Sequence, residues 1–547
     1  MNLKAWQSKE SSKGGSIRAR MLRWGIFVGL GIVSGTVLLG AEGDGGKDWP
    51  MFGRTVSNDA SSQSEGITAG NASKLHTKWT FATSGDVTAR AAVVDGVAYF
   101  PDWGGNIWAV DANTGAKLWG HQLSEYGLTA GTLSRTSPAV VNGMVYIGTQ
   151  FTATGKTGWL LALKASTGAL VWKTQPDTSN PFPVVTGSPA VADGVVYIGM
   201  TSNEEFAAAS PAYKCCSVSG SVVALNAATG ARLWETFMVP SGYSGGAVWG
   251  SSPVVDEDRR MVVVGTGNNY SVPTAPAYLA CVAGGGTRAT CQSPDNHADS
   301  IVALDMDSGH IRWAKRLETW GQTGITDGSD DWNVACIAHS SNCPPAQGPD
   351  YDFGSGPNEI TYHAKGGEKA IIGAGQKSGI YYALDPEDGT ELWHTQVGPG
   401  SSLGGIEWGS ASDGTRIYVA IGNLFGIPYA AGNAGSFAAL DPATGAILWQ
   451  KADPNGGMDI GPMTVASGVV YAPSMGGPHS ATAPTMLALD ASSGNTLWSF
   501  AAGASVNAGA TVVHGTVFWG SGYAHLGALG TGGNNTFYAF SGPGGDD

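Results

Sequence analysis

The 547-residue chain holds 83 Gly and only 13% charged residues, where an average soluble domain has ~7% Gly and ~25% charged residues. The glycines follow no every-third period, which excludes a collagen helix. The 42% hydrophobic content and 19 Trp exclude a disordered chain, because that much apolar surface offsets the entropy of ordering. The formal charge is −14, with no basic cluster beyond the first 25 residues, so nucleic acid is not an expected partner.

The N-terminus reads as an address rather than a fold. Lys4, Lys9, Lys13, Arg18, Arg20 and Arg23 precede an uncharged run from Trp24 to Ala41 that ends in small residues. A basic start, an apolar stretch and a small-residue end predict an export signal over residues 1–41, cut after Ala41. An uncleaved anchor is the alternative, since the run can just span a bilayer, but its glycines and serine favour cleavage. The expectation is an exported protein, periplasmic or secreted, whose mature chain (residues 42–547) carries −19 and keeps no membrane span.

Beyond the leader one phrase recurs: an apolar strand, a short turn with Gly, and a second strand ending in Trp. KWTFAT (Lys78 to Thr83) supplies a Trp strand without its turn. Full phrases then end at Trp119, Trp172, Trp234, Trp313, Trp393, Trp449 and Trp498, as in VDANTGAKLW and LDPATGAILW. A second phrase, SPAVVNGMVYIG from Ser137 or SPAVADGVVYIG from Ser188, lies between them. Both read as hairpins with Asn-Gly or Asp-Gly turns, so each repeat makes a four-stranded sheet. FYAFSGPGG (Phe537 to Gly545) lacks its Trp strand, which the N-terminal fragment can supply. The prediction is all-β: one eight-bladed β-propeller of four-stranded blades over residues 42–547, its last blade closed by both chain ends. The repeated Trp is read as packing between blades.

All six cysteines lie beyond the leader in close pairs: Cys215 with Cys216, Cys281 with Cys291, and Cys336 with Cys343. In an exported chain these read as disulfides. No C-x-x-C-H haem-attachment motif occurs. The longest spacings between repeat tryptophans run from Trp234 to Trp393, where an acidic, polar insertion marks a rim that can build a site.

The A-x-x-x-x-G-x-x-x-W phrase resembles the repeat of quinoprotein alcohol dehydrogenases, eight-bladed propellers that hold pyrroloquinoline quinone (PQQ) on the axis. KCCSVSGSVVALNAATG, DDWNVAC and GPDYDFGSGP resemble the polyvinyl alcohol dehydrogenase branch most. Binding-only scaffold propellers share the repeat, so the decision rests on individual polar residues. Asp352, in DYDFGSGP, is similar to the family's catalytic base and calcium contact. Lys377, in GAGQKSG, matches the cation beside the quinone oxygens. Asn268, in GTGNN, matches a calcium ligand, and Trp249, in VWGSSP, the ring beneath the cofactor. For the calcium carboxylate in SNEEF an ungapped count selects Glu204, while the residue before Phe206 is Glu205, which is preferred. Arg135 and Thr186 fit positions contacting PQQ carboxylates, and Asn423 is a further candidate. Cys215 and Cys216 resemble the family's vicinal disulfide over the cofactor, although here they follow Glu205. Thr88 stands where methanol-type members carry Glu, and Gly354 lacks the additional Asp of lanthanide-dependent members, which favours calcium. Asn333 is a poorer match to the base, since an amide accepts no proton. The resemblance implies oxidation of an alcohol, a secondary or polymeric one included, with PQQ and Ca2+. Without a haem motif, the electrons are expected to leave to a separate cytochrome c or another acceptor.

Overall fold

A pair of hairpins buries its apolar faces only by stacking on the next pair. The structure, a computed structural model, shows that stacking and describes residues 48–63, 66–150, 158–180, 182–317, 330–476, 481–524 and 530–543. The expected leader and residues 318–329 of the long insertion lie outside the described residues. The described strands form eight sheets, each with a four-strand antiparallel path. The first blade is Ala92–Val94, Val97–Pro101, Asn106–Asp111 and Lys117–Gln122, and six more repeat that order. The eighth takes Thr511–Val513, Thr516–Gly520 and Thr536–Ser541 from the C-terminal part and its outermost strand, His76–Ala82, from the N-terminal part. The predicted eight-bladed ring and its closure by both ends are both observed.

The recurring Gly and Trp are two halves of one contact. The indole N–H of seven of these Trp donates to a main-chain carbonyl of the next blade's turn. Trp119 reaches Ala165 O at 2.8 Å, Trp234 reaches Met306 O at 3.1 Å and Trp449 reaches Ala491 O at 3.0 Å. Trp79 bonds Ala112 O at 3.1 Å, which ties the eighth blade to the first. The indole lies flat on the turn glycine, and a Cβ on Gly309 would stand 2.5 Å from the Trp234 ring. That glycine also has φ +72°, the left-handed region. Only Gly meets both demands. At the split blade, where no such turn exists, Trp498 bonds Leu75 O at 2.9 Å instead. Gly143 shares the same φ but has nothing within 4 Å of its would-be Cβ. Gly143→Ala is therefore expected to cost about 1–2 kcal/mol from backbone strain. Gly309→Ala should cost about 2–5 kcal/mol, because overpacking against Trp234 is added. Urea unfolding of the two variants reads the difference.

The hub is crossed by a segment with no repeat signature. Residues 49–62 bond in turn to the second residue of seven of the eight innermost strands. Trp49 pairs with Val93, Val140 N donates to Pro50 O at 2.7 Å, and Val255 N to Val56 O at 2.9 Å. Glu359, Ser412 and Val465 N–H donate to Ser57, Asp59 and Ala60 O, and Ser62 Oγ donates to Val512 O at 3.1 Å. The ring thus has a floor made by its own N-terminal segment. All three expected disulfides are present, and the described residues hold no free cysteine.

Candidate active site

In an up-and-down blade the first strand begins, and the second strand ends, on the same face of the ring. The residues singled out from the sequence fall at these two kinds of position. Arg135 and Thr186 stand four residues before their innermost strands, Trp249 five and Asp352 six. Glu205 and Asn268 stand three residues beyond the ends of second strands, Lys377 and Asn423 two. The floor joins the same innermost strands at their second residue, so the candidate residues lie toward the opposite end of the hub.

Asp352 is the centre of the cluster. Its Oδ1 accepts the Asn268 main-chain N–H at 2.7 Å. Its Oδ2 accepts the Trp249 indole N–H at 2.8 Å and the Lys377 ammonium at 3.0 Å. A Cβ on Gly267 would lie 2.9 Å from this carboxylate, so only Gly lets the strand end approach it. Lys377 Nζ also donates to Asp350 Oδ1 at 3.2 Å and rests 5.0 Å from the Trp249 ring centroid. Burial alone would lower the Lys377 pKa. Asp350, Asp352, Glu407 and Glu205 outweigh that and hold it well above the usual lysine value. The side chain is therefore a fixed cation.

Glu205, at the edge of the cluster and only partly covered, is pushed up to about 7, by burial first and by the charge of Asp352 second, against the pull of Lys377. It makes no hydrogen bond among the described residues. Glu204 serves the loop instead. It accepts from the Tyr213 hydroxyl at 2.7 Å and from Ser217 and Val218 N–H at 2.9 and 2.7 Å, holding the chain that follows Cys215–Cys216. The Asn268 amide donates to Asn269 O at 3.0 Å and Trp332 O at 2.9 Å, and its Oδ1 has no partner among the described residues. Cys216 packs with Val218, Ala247, Tyr270 and Trp249, which brings the vicinal disulfide beside the cluster. Arg135 stacks on Trp408 at 4.6 Å, and its guanidinium makes no hydrogen bond among the described residues. Thr186 Oγ1 donates to Trp249 O at 2.9 Å. The Asn423 side chain is spent inside its own loop, on Ile427 N and O and Ala434 O, and does not join the cluster. Asn333 caps the turn at Val334–Cys336 and bonds Tyr270 O at 2.7 Å, a structural role.

Three acidic residues went unread in the sequence. Asp350 shares Lys377 with Asp352, two residues away in the same DYD phrase. Asp330 accepts Asp350 and Tyr351 N–H at 2.9 and 2.7 Å and so orients that phrase. Glu407 is buried, its Oε2 has no partner, and it couples electrostatically to Lys377, Asp352 and Arg135. GGIEWGS around Glu407 echoes GGAVWGS around Trp249 two blades earlier, a signal that could have marked both Glu407 and Trp408. The Trp408 and Trp249 rings meet edge to face at 5.2 Å.

Burial raises Asp330 and Glu407 to about 7. The unfolded chain releases these protons near pH 4, whereas the folded protein keeps them until about pH 7. Their stabilisation is full below about pH 4, is lost as pH rises through about 7, and is flat above. Protein free of metal and cofactor should lose on the order of a few kcal/mol of stability between pH 5 and 8 from these two groups. Urea titrations at several pH values read the slope, and Asp330→Asn should flatten part of it.

Charge explains what the cluster lacks. Among the described residues, Glu205, Asp350, Asp352 and Glu407 couple to two cations, Lys377 and Arg135, an excess of acid that suits a cation. The partnerless groups, Glu205 and Asn268 Oδ1 on one side and the Arg135 guanidinium on the other, are oxygen donors for a hard cation and a donor for an anionic ligand. These residues fit a calcium-sized ion and a flat polyanionic cofactor. Among the described residues no three His, Cys, Asp or Glu side chains are already gathered as a metal cage.

The same ring architecture occurs in solved redox propellers. The quinohemoprotein alcohol dehydrogenase of Comamonas testosteroni superposes with a TM-score of 0.64 at 20% identity, covering 90% of this chain and 80% of that one. A europium-containing methanol dehydrogenase superposes with a TM-score of 0.64 at 17% identity, over 90% and 98%. The chain belongs to the PQQ_2 family, described as outer membrane protein assembly factor BamB, whose model matches residues 42–214 and 376–535. Among curated relatives, a polyvinylalcohol dehydrogenase of Sphingopyxis sp. (strain 113P3) is 31% identical over 69% of this chain. Another, from Pseudomonas sp., is 29% identical over 87%. The chain spans about half (54%) of the length of the first and 73% of the second. The resemblance read from the repeat and site phrases is borne out by these relatives.

Proposed function

We propose that this protein is a PQQ-dependent alcohol dehydrogenase with calcium as its metal, exported by residues 1–41 and acting in the periplasm or outside the cell. Secondary alcohols, polymeric ones such as polyvinyl alcohol included, are its substrates, and a separate cytochrome c or other acceptor takes the electrons. The observation that carries this reading is the meeting of Asp352, Lys377, Trp249, Asn268 and Glu205 at one end of the hub. When bound, the quinone supplies the two-electron acceptor and the cation a Lewis acid. The chain supplies the rest. Glu205, Asn268 Oδ1 and Asp352 would hold the cation. Trp249 would give a flat surface, with the Cys215–Cys216 ring beside it, and Arg135 and Thr186 would receive carboxylates. Asp352, aimed by Asn268 N–H and Trp249 Nε1 and bonded by the Lys377 ammonium, accepts the hydroxyl proton. No helix among the described residues is long and apolar enough to cross a membrane.

Reconstitution tests the reading. Protein stripped with a chelator is expected to reduce an artificial dye with a secondary alcohol only when PQQ and Ca2+ are both returned, and to show a bound-quinone absorbance band. Glu205→Gln should raise the Ca2+ concentration needed for half-activity by at least about tenfold. No band and no dye reduction with any alcohol would leave a binding propeller.

A further inference from the structure

The loop joining the sixth blade to the seventh carries two acids that the candidate active site does not use. Asp453 directly follows the outermost strand Ile447–Ala452, and Asp459 stands five residues before the innermost strand Thr464–Ala466. Ser474 directly follows the next strand, Val469–Pro473. Asp453 is 5% exposed, and Asp459 and Ser474 are 0% exposed. Asp453 has donors on both oxygens: Oδ1 accepts the Asn455 and Gly457 N–H groups, and Oδ2 the Ser474 hydroxyl. Asp459 has none, and both of its oxygens are buried without a hydrogen-bond partner. Its polar neighbours are Asp453, itself an acceptor, and Ser474, whose single hydroxyl hydrogen is committed to Asp453. A Cβ on Gly435 would stand 2.7 Å from Asp459 Oδ2, so only Gly lets the chain close on this carboxylate. No lysine, arginine or histidine among the described residues acts on Asp459, and burial together with the charge of Asp453 holds its carboxyl well above the usual range. The charges acting on Glu205 and Glu407 are those of Lys377, Asp352 and Arg135, so the pair is separate from the candidate active site.

Two buried carboxylates side by side cannot both stay ionised without a partner, and either a proton or a cation can supply it. A shared proton would serve one oxygen of Asp459 and leave the other bare, whereas a cation engages both. The free atoms are all hard oxygens: the two of Asp459, the remaining lone pairs of Asp453, and Ser474 Oγ, which keeps one lone pair after accepting Gly476 N–H at 2.9 Å. We propose that Asp453, Asp459 and Ser474 form a second cation site, for a divalent ion of calcium size, which locks the sixth blade to the seventh. Two carboxylates and a hydroxyl make an irregular set, which Ca2+ tolerates better than Mg2+. Their low charge count sets the Kd on the order of 10⁻⁴ M.

The test uses the full chain without PQQ, stripped with a chelator, at about pH 8. Each arm carries Glu205→Gln, which weakens the cation site proposed for catalysis. About 10 mM Ca2+ should raise the thermal midpoint by at least about 2 °C, and the same concentration of Mg2+ by less than half as much. Adding Asp459→Asn should abolish the Ca2+ effect. Should that variant fail to fold, crystals of the unaltered chain grown with Ca2+ decide, through an anomalous peak between Asp453 and Asp459. A peak there, or a rise lost in Asp459→Asn, confirms the site. A rise that survives Asp459→Asn, or neither rise nor peak, overturns it and leaves the two acids sharing a proton. An equal rise with Mg2+ would overturn the choice of calcium. No quinone enters these measurements, so a failure to reconstitute activity would count against the dehydrogenase reading alone.

Discussion

Asp352→Asn is expected to lower kcat and kcat/KM together by about 10²- to 10⁴-fold while the ring stays folded. The amide is nearly isosteric and can still accept the Asn268 N–H that aims the carboxylate. What it lacks is the ability to take a proton. Asp350→Asn is the matched control, because Asp350 shares the same ammonium but does not touch Trp249 or Asn268. Its loss should cost no more than about tenfold, since Lys377 keeps Asp352 as a partner. Steady-state dye reduction by reconstituted protein measures both, and near-ultraviolet circular dichroism checks the fold. Unchanged turnover in Asp352→Asn would remove this residue from the chemistry.

The second large effect is on stability. Lys377→Met leaves two buried carboxylates with their shared cation gone, and breaking a buried pair in this way costs about 3–5 kcal/mol. The loss should shrink at acid pH, because burial holds the Asp350 carboxyl well above its usual value and it protonates there. It should also shrink in Lys377→Met/Asp350→Asn, which removes one of the stranded charges. A coupling energy of about 1 kcal/mol or more in that double-mutant cycle would identify the ion cluster as the cause. Lys377→Arg retains the charge and should keep most of the stability. Urea unfolding of the four proteins at pH 5 and 8 reads all of these outcomes.

Legibility in the sequence followed local repetition. The blade count was readable because each Trp requires a Gly in the next turn, and that pair recurs in the chain wherever the contact recurs in space. The vicinal and short-range cysteines were readable because their partners are near in sequence. Candidate site residues were readable as family phrases, and the structure brings Asp352, Lys377, Asn268, Trp249 and Glu205 together. Asp350 and Glu407 escaped because their partner is Lys377, 27 residues from the first, and a long-range ion pair leaves no spacing to find. Arg90 escaped because its partners are carbonyl groups of Phe52 and Met463, the latter 373 residues away. The floor escaped for another reason. Residues 49–62 bond one blade after another, so they have neither the alternation of a strand nor the 3.6-residue period of a helix, and Asn58 and Ala60 there have φ of +60° and +50°.

That floor lies across the hub among the described residues, which makes the site a well entered from one end. If the substrate is a long-chain alcohol, as proposed above, it cannot be drawn through the hub from one side to the other. It would have to dip an end or a bend into the well, surrender its hydrogens, and withdraw along the same path, so successive oxidations on one polymer would fall at scattered positions instead of marching along the chain.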